Sequence, residues 1–276
     1  MQITFWGVRA LVPSPGLQTT ATGGNTLCTT IVGDAGELVA VDAGTGITVW
    51  GRSLMAGDFG RGLGHLDLFV THPHYDHIQG FPFFIPAFIP GNVIRLYGSV
   101  TCKRSLSQVL ESQMNPIFSP IQSLKNLNSI LEFPELTFPS VLQCGQLRVE
   151  LTVLPHMTGQ AMGLRITEKN RSVVFAPDVH YDVSGIPEAV VQFFAGADML
   201  VHDTRSHVLN RARQLHKEAF DGRDAVAAAQ LAGVKKLVLT HFHFDSSDEE
   251  ILHLPDAFPN VPFEIEVARE GATLWL

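Results

Sequence analysis

Cysteine is scarce in this chain of 276 residues, and basic residues are too few to balance the acidic ones. The three cysteines, Cys28, Cys102 and Cys144, are odd in number and widely spaced, which excludes a disulfide framework and a zinc-ribbon spacing. Such usage suits the reducing cytoplasm, where we expect the protein to reside. Lysine and arginine total 19 against 27 aspartates and glutamates, a formal charge of −8. A chain of that sign has no general attraction for nucleic acid, so we expect no stable complex with DNA or RNA.

Long apolar runs are also missing. The longest, residues 80–90, is too short to span a bilayer and is interrupted by prolines. No basic segment precedes an apolar one at the N-terminus, so we expect neither a signal peptide nor membrane association. Hydrophobic residues nevertheless make up 45% of the chain, which excludes disorder, and 24 glycines and 16 prolines indicate a turn-rich globular protein. We expect a single domain over residues 1–276.

Short apolar or alternating runs, closed by glycine or aspartate, predict strands throughout the chain. They cover residues 2–7, 27–32, 38–42, 66–71, 93–98, 147–154, 162–167, 172–176, 199–202, 236–240, 263–268 and 272–276. Helices are predicted at residues 47–56, 187–195, 221–232 and 248–253, and an irregular insertion at residues 119–140. This order of elements favours an α+β fold in which two mixed sheets pack face to face and helices cover the outer faces.

Residues 71–77 read THPHYDH, at the end of a predicted strand. The metal-binding side chains in this stretch are His72, His74, Asp76 and His77. Because they fall within six residues of a turn, they can converge on a small volume. Neutral imidazoles and carboxylates are the ligands that borderline divalent metals prefer. A solvated polar loop is the ordinary alternative, but the spacing favours a metal site.

Three further residues of the same type follow other predicted strands. His156, Asp178 and His241 stand in the segments VLPHMTG, FAPDVH and LVLTHFH, each just past the end of a strand. Folds commonly build sites from loops at strand ends, so these residues are candidates to complete a metal centre. Taken singly, each could be an ordinary strand-end residue, and only the cluster at residues 71–77 favours the functional interpretation.

With these seven residues the chain resembles the metallo-β-lactamase-fold hydrolase superfamily, whose hallmark is H-x-H-x-D-H followed by a distant His, Asp and His. It is similar in particular to a bacterial subgroup that opens with a Gly-Val-Arg turn and a Gly-Gly-Asn-Thr loop, here residues 7–9 and 23–26. The segments DAGTG at residues 42–46 and DHIQGFPFF at residues 76–84 continue the match. That subgroup is similar to ribonuclease Z and to small cyclic-phosphate phosphodiesterases. The resemblance covers essentially the whole chain and implies an αββα sandwich, the metallo-β-lactamase fold.

The resemblance also implies two divalent metal ions, with zinc expected and manganese or iron as alternatives. One ion would be held by His72, His74 and His156, the other by Asp76, His77 and His241, and Asp178 would bridge both. Two such ions lower the pKa of a shared water from about 15.7 to roughly 7 and polarise a phosphoryl or carbonyl oxygen. An oxygen- or NO-reducing di-iron site is disfavoured, because members resembling that branch carry glutamate at the position of His74.

Asp42 is expected to accept an imidazole N–H from a metal ligand and so to fix its tautomer, although a strand-ending turn would also explain it. The stretch His202-Asp203-Thr204 resembles the HEAT stretch of ribonuclease Z, whose carboxylate pairs with a downstream histidine for proton transfer. The expected position of that histidine holds Ala219, and the nearest substitute is His216.

The hypothesis is therefore an Asp203–His216 pair that donates a proton to the leaving group, with an exposed His216 as the ordinary alternative. Catalytic roles are predicted for Asp76, Asp178, Asp203 and His216. The missing histidine and the absence of a long basic Gly/Pro-rich arm both argue against tRNA processing.

The substrate is the least constrained part of the prediction. Five of the 19 basic residues, Arg205, Arg211, Arg213, Lys217 and Arg223, could receive a phosphate or could form a solvated helix face. Residues 82–88 could line the substrate cleft, form a contact in a homodimer or pack in the core. The favoured activity is hydrolysis of a small or cyclic phosphodiester. Hydrolysis of a lactone, thioester or carboxylic ester by the same metals is the alternative. A non-catalytic metal-binding sensor or partner domain is the third alternative. The complete set of ligands argues against it, because a domain without activity has no need of every ligand.

Overall fold

Two seven-stranded mixed sheets form the centre of this computed structural model, which describes residues 1–98, 104–157, 159–182, 184–206 and 216–276. The first sheet contains β1 (Gln2–Gly7), β2 (Cys28–Val32), β3 (Leu38–Val41), β4 (His65–Val70), β5 (Val93–Gly98), β6 (Ile130–Glu132) and β14 (Thr273–Trp275). The second contains β7 (Ser140–Cys144), β8 (Leu147–His156), β9 (Gly159–Glu168), β10 (Arg171–Ala176), β11 (Met199–Asp203), β12 (Lys236–Thr240) and β13 (Glu264–Val267).

The α-helices are α1 (Gly46–Leu54), α2 (Tyr75–Ile78), α3 (Leu106–Gln113), α4 (Glu188–Phe194), α5 (Arg223–Ala232) and α6 (Asp248–Leu252). Short 3₁₀ helices occur at Leu17–Thr19, Asp58–Arg61, Phe81–Phe83, Ile85–Phe88, Leu124–Asn126, Lys217–Ala219 and Leu254–Ala257. Among the helices of the described ranges, none has both the length and the apolar character needed to cross a membrane.

Parallel strands dominate one half of each sheet. The strand order is β14-β1-β2-β3-β4-β5-β6 in the first sheet and β13-β12-β11-β10-β9-β8-β7 in the second. Neighbours are parallel from β3 to β6 and from β10 to β13. Because the carboxyl ends of parallel strands meet at one edge of a sheet, residues that follow them can share a site.

An apolar core joins the two sheets. It contains Phe5 and Ile31 of the first sheet and Leu200 and Leu239 of the second, each at most 1% exposed. In β4 the side chains alternate, so that Phe69 belongs to this core while its neighbours pack with α1 and α3 in a second apolar cluster. Helices α4 and α5 pack against the second sheet. The layers are therefore those of the predicted αββα sandwich, which is confirmed.

The insertion expected at residues 119–140 contains more regular structure than the sequence pattern predicted. It includes β6 and ends at the first residue of β7, and the unpredicted helix α3 precedes it. Helix α3 begins with a capping box between Ser105 and Gln108, a signal that the sequence does carry. Strand β6 has only three residues, all exposed or half-buried, so no apolar alternation marks it.

The apolar segment 82–88 contributes to the core. Phe84 and Ala87 are fully buried, and Trp50 of α1 stacks on Phe84 with ring centroids 5.5 Å apart. Phe83 and Ile85 remain exposed on its other side. Core packing is thus the established role of the segment, and a contact with substrate or a second subunit stays a prediction for the two exposed side chains.

Candidate metal centre

The seven side chains predicted as metal ligands converge where strands of both sheets end. His72 comes shortly after β4 of the first sheet, and His156 is the last residue of β8 in the second. Asp178 and His241 come shortly after the parallel strands β10 and β12, and the short helix α2 carries two more of the seven. All seven are buried except His74, whose side chain is 37% exposed.

One group consists of His72, His74, His156 and Asp178, whose potential ligand atoms all lie within 4.8 Å of one another. His72 Nε2 is 3.0 Å from His74 Nδ1 and 3.4 Å from Asp178 Oδ2. The same carboxylate oxygen is 3.7 Å from His74 Nδ1, and His156 Nδ1 donates to the backbone carbonyl of Asp178 at 2.7 Å, which leaves His156 Nε2 for a metal. A tetrahedral zinc ion with bonds of about 2.0 Å separates its ligand atoms by about 3.3 Å, so the spacing suits one such ion.

The other group consists of Asp76, His77 and His241, again within 4.8 Å of one another. Asp76 Oδ2 is 3.0 Å from His241 Nε2 and 3.6 Å from His77 Nε2. The backbone N–H of Leu11 donates to the same oxygen at 2.8 Å. The loop after β1, which carries the Gly-Val-Arg turn, therefore helps to hold Asp76 in place.

Asp178 lies between the two groups. Its Oδ2 faces the first group, and its Oδ1 is 4.0 Å from His241 Nδ1. Arg205 Nη1 is 3.3 Å from the same Oδ1, and the Arg205 guanidinium stands 5.0 Å above the ring of Phe220. Asp178 therefore belongs to the first ligand group and lies beside a histidine of the second.

Asp42 occupies the position expected for a residue that orients a histidine. Its Oδ2 accepts a hydrogen bond from His77 Nδ1 at 2.8 Å, and its Oδ1 accepts one from the backbone N–H of Thr71 at 2.9 Å. The hydroxyl of Thr71 also reaches this carboxylate. Because Nδ1 carries the proton, the lone pair of His77 Nε2 faces the centre and can bind a metal.

Three residues of the site have left-handed backbone conformations that are unfavourable for side chains with a Cβ. Their φ angles are 64° for Asp42, 44° for Asp178 and 59° for His241. Each such residue costs of order 1–3 kcal/mol unless the surroundings impose it. Asp42 and His241 directly follow strands, and Asp178 comes two residues after one. The turn at each residue directs its side chain towards the centre.

The centre combines buried imidazoles with buried carboxylates. Burial holds the pKa of His72 well below its usual range. Burial also opposes protonation of His77, but the carboxylates of Asp42 and Asp76 outweigh it and raise its pKa to about 9. Burial would raise the pKa of Asp178, yet the neighbouring His241 charge and hydrogen bonds from His72 hold it well below normal. The lowered pKa of the Asp178 carboxyl favours its charged form, which attracts cations.

Several of these buried atoms have no hydrogen-bond partner among the described residues. Those that face the two ligand groups are Nε2 of His77, Nε2 of His156 and Oδ1 of Asp178. An unpaired buried polar atom is costly, and a bound divalent ion would satisfy imidazole and carboxylate donors together. The donor set and its spacing thus fit a dinuclear metal site.

Asp203 and His216 are not brought together. Asp203 is fully buried at the end of β11, where its carboxylate lies close to Asp178 and His241. The side chain of His216 is 60% exposed, and its Nδ1 is 3.9 Å from Glu218 Oε2. No hydrogen bond or ion pair joins Asp203 to His216 in the structure as described, so a role for them as a proton-donor pair stays a prediction.

The basic stretch does not act as one patch. Arg223 pairs with Asp221 and Lys217 with Glu250, both on the surface, and Arg211 and Arg213 lie outside the described residues. Arg205 is the exception, since only 2% of it is exposed and it contacts Asp178. Its contact with the metal centre was missed in the sequence, where it could not be distinguished from its solvated neighbours.

Comparison with known proteins agrees with this geometry. Residues 39–242 match the sequence profile of the family described as "Beta-lactamase superfamily domain". A ribonuclease Z from Prochlorococcus marinus is 29% identical over 149 residues, which are 50% of this chain and 44% of that protein. The aligned part is thus less than half the length of this relative.

Solved structures show the same fold over the full length. The metallo-β-lactamase-fold protein YhfI from Bacillus subtilis superposes with a TM-score of 0.67 at 16% identity, covering 99% of this chain and 98% of that one. A diphosphatase from the PhnP family superposes with a TM-score of 0.66 at 19% identity, covering 100% and 97%. The profile match includes all seven convergent side chains and ends one residue past His241. The chain belongs to the β-lactamase superfamily and has the metallo-β-lactamase fold.

Proposed function

We propose that the protein is a dinuclear metal-dependent phosphodiesterase that acts on a small or cyclic phosphodiester in the cytoplasm. The observation that carries the proposal is the adjacency of two ligand groups, with Asp178 of the first group 4.0 Å from His241 of the second. Two adjacent metal positions suit the in-line displacement of a phosphate ester, in which charge develops on both the attacking and the leaving oxygen.

The ligand assignment follows the two groups of side chains. One ion would be bound by His72, His74 and His156, the second by Asp76, His77 and His241, and Asp178 would contact both. Mixed imidazole and carboxylate donors suit zinc, with manganese or iron as alternatives. Bound ions would supply Lewis acidity, lowering the pKa of water and polarising a phosphoryl oxygen. The protein holds the donors in place through Asp42, which fixes the tautomer of His77.

A negatively charged substrate is favoured by Arg205. This guanidinium is buried beside Asp178 and adds a positive charge next to the position where the ions would bind. A phosphodiester carries one negative charge, whereas lactones and thioesters are neutral.

The relatives support phosphorus–oxygen chemistry. Ribonuclease Z is by its name a nuclease, and the structural neighbour from the PhnP family is a diphosphatase. We propose a small substrate rather than RNA, because the chain has a formal charge of −8 and the basic residues Lys217 and Arg223 are engaged by acids.

A metal-replete screen tests the proposal. The protein, purified without chelator and supplied with Zn²⁺ or Mn²⁺, is assayed with bis(p-nitrophenyl) phosphate, a lactone, a thioester and a β-lactam reporter. We expect the phosphodiester to have the highest kcat/KM and the Asp178→Ala variant to be inactive on every substrate. If the lactone or thioester exceeds the phosphodiester a hundredfold in kcat/KM, the proposed substrate class is wrong and an ester hydrolase takes its place.

A further inference from the structure

Asp203 is a buried carboxylate that none of the seven ligand positions uses. It is 0% exposed, and neither of its carboxylate oxygens has a hydrogen-bond partner among the described residues. An ionised carboxylate in such a place is expensive unless another group shares its charge or donates a proton to it. His202 Nδ1 approaches Oδ1 of Asp203 to 3.4 Å, but it donates to the backbone carbonyl of Asp203 instead, so the carboxylate can still accept a proton from another donor.

His241 has the complementary deficiency. Its Nε2 points to Asp76 Oδ2 at 3.0 Å, into the second ligand group, and this nitrogen is the one that would bind metal. Its other nitrogen, Nδ1, is buried and has no hydrogen-bond partner within the described part of the chain. A histidine that binds metal through one nitrogen almost always donates the N–H of the other to a carboxylate, a carbonyl or a water.

The fold places the two side chains next to each other. Strands β11 and β12 are parallel neighbours in which Asp203 pairs with Thr240, the residue before His241. The hydroxyl of Thr204 donates to the carbonyl of His241 at 3.0 Å, which ties the end of β11 to the left-handed turn at His241. One potential ligand atom from each of Asp178, Asp203 and His241 lies within 4.8 Å of the others.

Asp178 is the only other carboxylate in that group, and it has other contacts. Its Oδ2 faces the first ligand group, and its Oδ1 faces Arg205. We propose that Asp203 is a positioning residue that accepts the Nδ1 proton of His241, directly or through one water, and so directs Nε2 to the second metal position. A separation of up to 4.8 Å is closed by a small side-chain shift or by a single bridging water.

Asp203 is itself held by neighbours on the side away from the metal centre. His202 Nδ1 donates to the carbonyl of Asp203 at 2.9 Å, and the hydroxyl of Tyr181 is 3.0 Å from His202 Nε2. The proposed pairing of Asp203 with His241 in the second sheet parallels the pairing of Asp42 with His77 in the first sheet. Each sheet would thus supply one carboxylate that fixes one histidine of the second ligand group.

Metal affinity tests the proposal without any substrate, so it can fail independently of the proposed phosphodiesterase activity. The full chain and its variants are titrated with Zn²⁺ against a competing chelator. We expect Asp203→Ala to weaken the second ion by roughly 10–100-fold and the first ion by less than threefold. Asp203→Asn keeps an acceptor oxygen and should stay within about tenfold of the wild type. Asp256→Ala, at an exposed carboxylate, is the matched control and should bind both ions normally.

Two results would overturn the proposal. One is an Asp203→Ala variant that binds both ions within twofold of the wild type. The other is a variant in which both ions weaken equally and asparagine is no better than alanine, which indicates a purely structural role. If the variants fail to fold, the zinc-loaded wild type decides through long-range ¹H–¹⁵N NMR of His241. Protonated Nδ1 with zinc-bound Nε2 is expected, and zinc on Nδ1 contradicts the assignment.

Discussion

Replacing Arg205 with glutamine should destabilise the metal-free protein and at the same time tighten its binding of metal. Arg205 Nη1 is 3.3 Å from Asp178 Oδ1, and both side chains are almost completely buried. At an effective dielectric constant of about 20, the attraction over that distance is about 5 kcal/mol before the desolvation of both groups is subtracted. Removing one partner of a buried ion pair costs about 3–5 kcal/mol, so we expect the free energy of unfolding of metal-free R205Q to fall by about 3 kcal/mol.

Bound cations restore part of the stability lost in R205Q, because they neutralise Asp178 in place of the guanidinium. In the metal-loaded protein we expect the same substitution to cost only about 1 kcal/mol. The thermodynamic cycle then requires metal affinity to increase by the difference, about 2 kcal/mol or roughly 30-fold. In this view Arg205 competes with metal ions for Asp178 and stabilises the metal-free protein.

Urea unfolding, with chelator and with saturating Zn²⁺, measures both sides of the cycle, and chelator competition measures the affinity directly. Arg52→Gln, at an exposed position in α1, removes the same charge far from any buried carboxylate and serves as the control. Weaker metal binding by R205Q than by the wild type would refute the reasoning, since it would mean that Arg205 supports the bound ions.

Three further outcomes are expected. Asp178→Ala should remove at least one ion per chain in elemental analysis, because Asp178 contacts both ligand groups, and His253→Ala, 69% exposed, should remove none. Metal affinity should rise with pH by up to roughly tenfold per unit and level off near pH 9, because metal must displace the proton of His77, whose pKa Asp42 and Asp76 raise to about 9 against the effect of burial. In the metal-free protein a rise in pH acts in the unfavourable direction, because it lowers the free energy of unfolding. The raised pKa stabilises the fold below about pH 6.5, and this stabilisation is lost towards pH 9, as urea melts with chelator at the two pH values should show. His216→Ala should affect alkyl and nitrophenyl diesters equally or not at all, and a selective loss on the alkyl diester would restore the proton-donor hypothesis.

The metal centre was predictable because its residues stand at positions that the fold brings together. The string at residues 71–77 concentrates four donors in one turn, and His156, Asp178 and His241 each follow a strand with a clear apolar pattern. Asp178 and His241 follow parallel strands whose carboxyl ends lie at one edge, so the assignment of strands places these two close together, whereas His156 ends β8, which is antiparallel to both of its neighbours. The orienting role of Asp42 could be predicted for the same reason.

The proton-donor pair could not be predicted from the same pattern. Asp203 ends β11 and has a position that follows from the strand, and the structure does place it beside the centre. His216 precedes a three-residue 3₁₀ helix on the surface, and its direction depends on the path of a loop that no periodicity encodes. Counting residues from His241 selected a side chain that is 60% exposed and that, among the described contacts, has no hydrogen bond or ion pair with Asp203.

The same limit applies to Arg205. Its charge is visible in the sequence, but its burial against Phe220 and Asp178 depends on contacts between separate elements. A run of basic residues usually means a solvated face, and for Lys217 and Arg223 it does. Only the three-dimensional packing distinguishes the one member that reaches the metal centre.

The left-handed turn at His241 gives a last prediction, on the cost of building such a centre. With φ at 59°, a residue with a Cβ is strained there by about 1 kcal/mol or more, while glycine is not. In the presence of chelator, where the metal no longer compensates, His241→Gly should therefore be more stable to urea than His241→Ala by about 1 kcal/mol. His72 has an ordinary backbone conformation, so there the order should reverse and His72→Gly should be the less stable variant, because glycine loses more backbone entropy on folding. If alanine is the more stable replacement at both positions, the turn at His241 is not strained, and metal binding need not offset any backbone cost in this loop.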